Sequence, residues 1–571
     1  MMKIKNTGKE KAVGCWLLAD GSYAVRAAVF LLFIFYFFLF TSCGKAKKNE
    51  QNIFRYNEVS GISSLDPAFA KSQSVIWATH QLYNTLVETD EQLHIVPSLA
   101  KSWEVSTDRL SIIFHLRTDV FFHDHIAFAN DKARLPHGQG RKMIAADVVY
   151  SFQRLMDKNT ASPGAWIFNN RVDAAKGFVA MDDSTFRIDL LKPFVQILGV
   201  LSNVYCSIVP REAVEKFGTD FRRNPCGTGP FQFKAWEEGQ ALILVKNQHY
   251  FEKDSTGNRL PYLDGVKVTF LDSKATEFLE FRQGRLHFIN DIDPSFKDEV
   301  LSKKGELRDS WKNKVVLNKH PYLNIEYIGI LVDSTKDIVK NSPLRIKALR
   351  QAINYGFDRK KMMLYLRNSI GTAAESGFVP MGLPSFDTAM VKGYHYDPAK
   401  ASALLQQAGF KSLKDIPEIK LLTIPIYGDL GSYIARQLQD IGLNVKVEIV
   451  QKSLLLTQTS KSEALFFRGS WIADYPDAEN YLSVFYGKNP APPNYTRYYN
   501  PVFDALYEQS TRETNDSIRY RLYQQMDQML MNDAPVVPLW YDMVIHLVQP
   551  AVKGFQPNAL NWLELRRVKL K

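Results

Sequence analysis

The sequence predicts a mixed α/β protein of at least two lobes, on three observations. The chain has 571 residues, and single hydrophobic cores stop growing near roughly 250–300 residues. Its composition, 46% hydrophobic and 23% charged, is that of a globular protein able to bury large cores. The second half carries a strand–helix–strand order, which implies a βαβ unit. Residues 419–426 read as a strand, residues 431–441 as a helix ended by Gly442, and Val445–Ile449 alternates as a second strand. There is no heptad, tandem repeat or long low-complexity tract, which disfavours a solenoid or coiled coil.

Other elements follow from the same rules. Residues 111–117 alternate and predict a strand. Ala145–Met156 predicts a helix, with apolar positions at 148, 149, 152 and 155. Ser342-Pro343 predicts a helix start with proline at its first position, and Ile346, Leu349 and Ile353 share one face. Asp397-Pro398 opens another helix the same way, and Gly409 closes it.

The formal net charge is +11. Residues 1–42 hold five bases (Lys3, Lys5, Lys9, Lys11, Arg26) and two acids (Glu10, Asp20), so without them the charge falls by three, to +8. Basic residues are spread along the chain with no block interleaved with stacking aromatics, which argues against nucleic-acid binding. Several bases precede an unbroken apolar run, residues 27–40. That run is shorter than the about 20 residues of a spanning helix and has the length of a signal-peptide core. Thr41-Ser42-Cys43-Gly44 follows and resembles a bacterial lipoprotein cleavage site, with Phe40 where leucine is usual. The resemblance implies lipidation of Cys43; an uncleaved signal anchor is the alternative. Either way the bulk of the chain is expected outside the cytoplasm, at the periplasmic face of a bacterial membrane. Residues 44–52 read as a tether, and Lys45, Lys47 and Lys48 would face the headgroups.

Two cysteines remain, Cys206 and Cys226. In an oxidising compartment they either form a bridge, contributing about 3 kcal/mol, or stay as two buried thiols; a bridge is the expectation. His123, Asp124, His125 and His137 can be read as the zinc site of a metal-dependent hydrolase or as a polar surface insertion. The insertion is preferred, because no His-Glu-x-x-His helix, nucleophile elbow or phosphate-binding loop accompanies them. No metal and no cofactor are expected.

Several blocks, in order, resemble the extracellular solute-binding proteins of the peptide/nickel family. They are Ala100-Lys101-Ser102-Trp103 with Phe114-His115-Leu116-Arg117, Ala146-Asp147-Val148, Gly227-Thr228-Gly229-Pro230-Phe231, and Leu349-Arg350-Gln351-Ala352-Ile353-Asn354-Tyr355. Tyr396-Asp397-Pro398, Trp471-Ile472-Ala473-Asp474-Tyr475-Pro476-Asp477 and Ala534-Pro535 continue the order. The early Asp/Asn-Gly turn of the family is missing: the chain reads Phe121-Phe122-His123-Asp124-His125, followed by an insertion of about residues 126–142.

The resemblance implies a two-lobed periplasmic binding protein fold with a hinge, plus a smaller third domain on the first lobe. By analogy the first lobe comprises residues 53–84, 199–315 and 535–571, the small domain 85–198 and the second lobe 316–534. It also implies a receptor rather than an enzyme: a monomer that captures peptides between its lobes and hands them to ABC transporter permease subunits. Asp474 would pair with the ligand's α-amino group, because a buried unpaired charge is costly. The backbone of Gly469, Ser470 and Trp471 would add the peptide as a strand. Trp471 would wall a side-chain pocket, Arg468 would meet a carboxylate end, and Ser72 and Ser74 of segment 71–74 would bond ligand backbone from the opposite lobe. The same residues also admit bland readings: a turn cap for Asp474, core packing for Trp471, a surface ion pair for Arg468. A nickel chelate, haem, glutathione or an oligosaccharide are rival ligands for the same fold. An adhesin or holdase, binding unfolded chains without lobe closure, is a rival function.

Overall fold

The computed structural model describes residues 52–129, 139–410 and 412–571. The leader, Cys43, most of the tether, His137 and part of the 126–142 insertion lie outside the described residues. Among the described residues no helix is long and apolar enough to cross a membrane.

The first lobe is built on a four-stranded sheet in the order Ile53–Asn57, Gly265–Thr269, Ala241–Lys246, Phe231–Glu237. The first pair is parallel and the others antiparallel. Alternation along Ile53–Asn57 sends Phe54 and Tyr56 into the core. A second four-stranded sheet runs in the order Ala100–Val105, Ser111–Leu116, Thr185–Asp189, Phe178–Asp182. The helix Ala145–Met156 packs on it through Val148, Phe152 and Leu155. That helix starts where Asp147 turns its carboxylate back to the Ile144 N–H (2.9 Å), and Arg141 holds the same carboxylate at 2.6 Å. Both sheets share one apolar core.

The largest sheet has seven strands, in the order Phe288–Asn290, Val536–Val548, Val316–Ile330, Phe466–Ile472, Ile419–Thr423, Val445–Ile449, with Thr372–Ala373 added beside Val536–Val548. Its two long antiparallel strands, Val316–Ile330 and Val536–Val548, connect separate cores. At one end Leu317, Met543, Ile545 and Leu547 pack with Phe278, Phe281 and Trp311. At the other Ile328, Ile330, Val537 and Leu539 pack with Leu349, Ile353 and Leu438. Between the two ends the register breaks, between Pro321 and Ile325 opposite Met543 and Tyr541. Proline offers no N–H to a ladder, and an irregularity there lets the strands bend. The result is the two-lobed α/β fold with its hinge in these strands.

The βαβ unit is present: Ile419–Thr423 and Val445–Ile449 pair in parallel across the helix Gly428–Asp440. The first strand stops short of 426 because Pro425 opens a 3-10 turn. The helix expected from Pro343 begins as a 3-10 turn capped by Ser342, and the α-helix proper is Lys347–Tyr355. Asp397 caps Pro398–Gln407 by accepting the Lys400 N–H at 2.9 Å.

The expected Cys206–Cys226 bridge is absent: both are buried free thiols. Each faces a carbonyl of its own surroundings, Cys206 that of Val200 at 3.8 Å and Cys226 that of His123 at 3.6 Å. Burial pushes both thiols well above their ordinary range, so neither is poised as a thiolate. His123 does not sit on a polar surface either. It is 3% exposed, donates Nε2–H to the Gly229 carbonyl at 2.9 Å, and accepts the Gly227 N–H on Nδ1 at 3.4 Å. His125 accepts the Ala127 N–H at 3.2 Å and caps a 3-10 turn. These bonds occupy both ring nitrogens of His123 and Nδ1 of His125, and among the described residues no metal-ligating cluster forms.

Gly227-Thr228-Gly229 is glycine-bearing because the chain crosses the end of the helix Gln73–Leu82 at backbone contact. A Cβ at Gly227 would stand 2.1 Å from the Leu82 carbonyl oxygen, and one at Gly229 2.4 Å from the Leu82 carbonyl carbon. Gly227→Ala is therefore expected to destabilise the protein by about 1–3 kcal/mol, read as a lower urea midpoint with an unchanged slope.

Candidate functional site

A cavity of about 270 Å³ opens between the lobes. The helix Gln73–Leu82 and the segment before it supply Lys71, Gln73, Ile76 and Trp77; the 3-10 turn at Val204–Cys206 supplies Asn203 and Tyr205. The opposite wall is Tyr322 on a hinge strand and Ile472, Ala473 and Asp474 at the end of the strand Phe466–Ile472. The C-terminal segment closes it with Asn561 and Trp562, and Trp77 fixes that segment by donating Nε1–H to the Asn561 carbonyl at 2.6 Å.

Asp474 is held from its own lobe by Asn480. The Asn480 amide donates to Asp474 Oδ2 at 3.2 Å, and its oxygen accepts the Asp474 N–H at 3.2 Å and the Trp471 indole N–H at 3.0 Å. The opposite lobe reaches it through Asn203, which donates Nδ2–H to the Asp474 carbonyl at 2.9 Å. Next to it Tyr475 is buried in the first lobe's core and stacks on Trp166 (6.2 Å between ring centres). The lobes are thus in contact beside the cavity.

Asp474 is open to water in the cavity yet ringed by protein at longer range. Loss of solvent raises its carboxyl above the ordinary value, the Asn480 bond opposes this, and nearby Glu479 adds to it. Burial, with Asp474 close by, pushes the Tyr205 hydroxyl up to about 12. Among the described residues no cation forms an ion pair with Asp474.

The strand Phe466–Ile472 offers a free edge next to this carboxylate. Ala473 donates its N–H to the Leu323 carbonyl at 2.8 Å. By alternation the N–H and C=O of Ser470 and Ile472 point the other way. On that side the neighbouring strand Ile419–Thr423 pairs only at Phe467.

The remaining sequence-chosen residues fall elsewhere. Gly469 is glycine because the Tyr327 ring occupies its Cβ direction, at 2.6 Å. Trp471 is partly buried against the second lobe's core and does not line the cavity. Arg468, on the Ser470 face, lies 3.9 Å over the Tyr427 ring and makes a close ion pair with Glu326. Ser72 is exposed ahead of the helix and Ser74 is buried, their hydroxyls 3.3 Å apart. Asn480, Asn203 and Tyr205 carry no sequence signal of their own; Asn480 stands six residues after Asp474, and only the fold returns it there.

A profile of the bacterial extracellular solute-binding proteins, family 5, matches residues 94–493. The chain belongs to this family. The family 5 protein is 28% identical over 534 residues to heme-binding protein A of Haemophilus influenzae, covering 90% of this chain and 92% of the relative. It is 26% identical over 529 residues to the periplasmic oligopeptide-binding protein OppA of Salmonella typhimurium, covering 89% and 90%. Among solved structures it resembles DppA of Helicobacter pylori in complex with the peptide STSA, with a TM-score of 0.70, 25% identity, and 91% and 97% of the two chains covered. HbpA2 of Haemophilus parasuis shares the fold, with a TM-score of 0.75, 24% identity, and 91% and 100% covered. This family 5 protein is accordingly a solute-binding component of an ABC transporter and not an enzyme.

Proposed function

We propose that this protein captures peptides by their α-amino end in the inter-lobe cavity and delivers them to its permease, anchored by lipid at Cys43 on the periplasmic face of the membrane and acting as a monomer. The observation that carries this reading is Asp474: a carboxylate facing an inter-lobe cavity with no cationic partner among the described residues. An ammonium group supplies the missing charge, and the free edge at Ser470 and Ile472 supplies strand-type bonds to the amides behind it. A ligand touching both walls favours the lobe-closed state by its differential affinity. Relatives named for oligopeptides and the STSA complex support the ligand class. The haem named for another relative needs an axial ligand. The cavity lining offers no His, Cys or Met for that purpose, only the Tyr205 and Tyr322 hydroxyls as oxygen ligands. The lobe segments 53–84, 199–315 and 535–571 against 316–534, with 85–198 as the small domain, belong to the same reading, with the two long strands crossing from one lobe to the other at their register break rather than at their ends.

Asp474→Asn keeps the Asn480 geometry and removes the charge. It is expected to weaken free-amine peptides by about tenfold to a hundredfold and N-acetylated peptides hardly at all. Calorimetry on both ligand types measures this; equal losses reject the amine-anchor role.

A further inference from the structure

Two charged side chains line the inter-lobe cavity, Asp474 from one lobe and Lys71 from the other. Among the described residues neither is in an ion pair. Lys71 is exposed, and its backbone N–H is turned back to the Phe69 carbonyl at 2.8 Å, which fixes where the side chain starts. It also borders a second cavity, of about 570 Å³, lined by Ser64, Phe69, Asn159 and Thr219. In that second cavity Arg154 holds Asp66 through two bonds, at 2.9 and 2.5 Å, Arg222 meets Glu238 at 2.9 Å, and Asp157, without an ion pair, accepts the Asn159 and Thr160 N–H groups at 3.0 and 3.2 Å. Lys71 is therefore the unneutralised cation at the junction of the two spaces.

Arg468 is differently placed. It is absent from the cavity lining, and its guanidinium is taken by Glu326, whose side chain is 4% exposed. The adjoining Asp542 faces Arg367 at 3.5 Å and accepts from Asn324 at 3.0 Å. These two acids and two bases cancel, so this part of the second lobe holds no net charge for a ligand carboxylate.

We infer that Lys71, rather than Arg468, is the specificity-determining partner for the ligand's carboxylate, and that the cavity selects small zwitterions: amine on Asp474 of one lobe, carboxylate on Lys71 of the other. This rests on the amine-anchor reading above and adds the second pole. A ligand gripped by opposite charges on opposite lobes bridges the cleft, so both contacts are complete only when the lobes are together. A peptide too long for the first cavity places its carboxylate past Lys71 and loses this contact. Short peptides are thereby favoured.

The test uses the full-length chain in detergent and three forms each of Ala-Phe and Ala-Ala-Ala: free, N-acetylated and C-amidated. Calorimetry on the wild type is expected to show weaker binding by at least about tenfold for each blocked form. Lys71→Met is expected to abolish the acid-over-amide preference and keep the free-over-acetyl preference, and Lys71→Arg to restore the former. A wild type indifferent to C-amidation, or a preference that survives in Lys71→Met, overturns the Lys71 assignment while leaving the amine anchor standing. Indifference to N-acetylation, or no binding of any form, overturns the amine anchor and this inference with it.

Discussion

Arg468→Met is expected to lower folding stability by about 3–5 kcal/mol, the cost of leaving a buried charge without its partner. Glu326 is the charge left behind. Its side chain is 4% exposed, burial already raises its carboxyl, and Asp542 nearby raises it further while Arg468 opposes both. The bonds that survive, from Asn324 Nδ2 and the Tyr427 hydroxyl, are each 3.3 Å long and neutral. Stacking of Arg468 on Tyr427 is lost as well. The double variant Arg468→Met/Glu326→Leu removes both charges and is expected to recover most of the loss, since apolar replacement of a buried pair is often neutral. Urea denaturation of the two singles and the double gives the coupling directly. A single variant as stable as the wild type would mean that Glu326 is not committed to Arg468, and Arg468 would again be available to a ligand.

His123→Gln is expected to change the pH dependence of stability by roughly 3 kcal/mol between pH 6.5 and 4. In the fold, burial lowers His123 from 6.5 to about 4, its Gly229 bond opposing this and His125 adding to it. Its Nδ1 accepts the Gly227 N–H, so a proton there would displace that bond. A group whose folded pKa lies below its unfolded one stabilises the fold above the unfolded value and loses that contribution as pH falls. The wild type's advantage over His123→Gln is therefore full above pH 6.5 and shrinks by about 1.4 kcal/mol per pH unit below it. Three other histidines are lowered the same way, His287 and His320 to about 4 and His546 to about 3, each chiefly by burial. Asp477, Asp527 and Glu58 oppose them, raised by burial to about 6, 7 and 8, so they favour the fold at lower pH. Because these groups are common to both proteins, the difference between wild type and variant isolates His123. Denaturation at pH 8, 6, 5 and 4.5 measures it; a constant difference would show that His123 keeps its proton equilibrium on folding.

The sequence alone determined those features whose cause is local or repetitive. Alternation and helical spacing placed Ser111–Leu116, Ala145–Met156 and Val445–Ile449, and caps such as Asp397 placed helix starts, because these depend on neighbours within a turn. The ordered family blocks carried the two-lobed fold and pointed to Asp474, which does line the inter-lobe cavity. Tertiary structure alone decided the rest. Asn480 meets Asp474 through a turn and short helix, Asn203 meets the cavity from the other lobe, and Glu326 captures Arg468 across 142 residues of sequence. Cys206 and Cys226 lie close in sequence yet face different carbonyls, and His123 is buried rather than displayed. Charge pairing and burial depend on which groups the folded chain brings within a few ångströms, and spacing along the chain does not encode that distance.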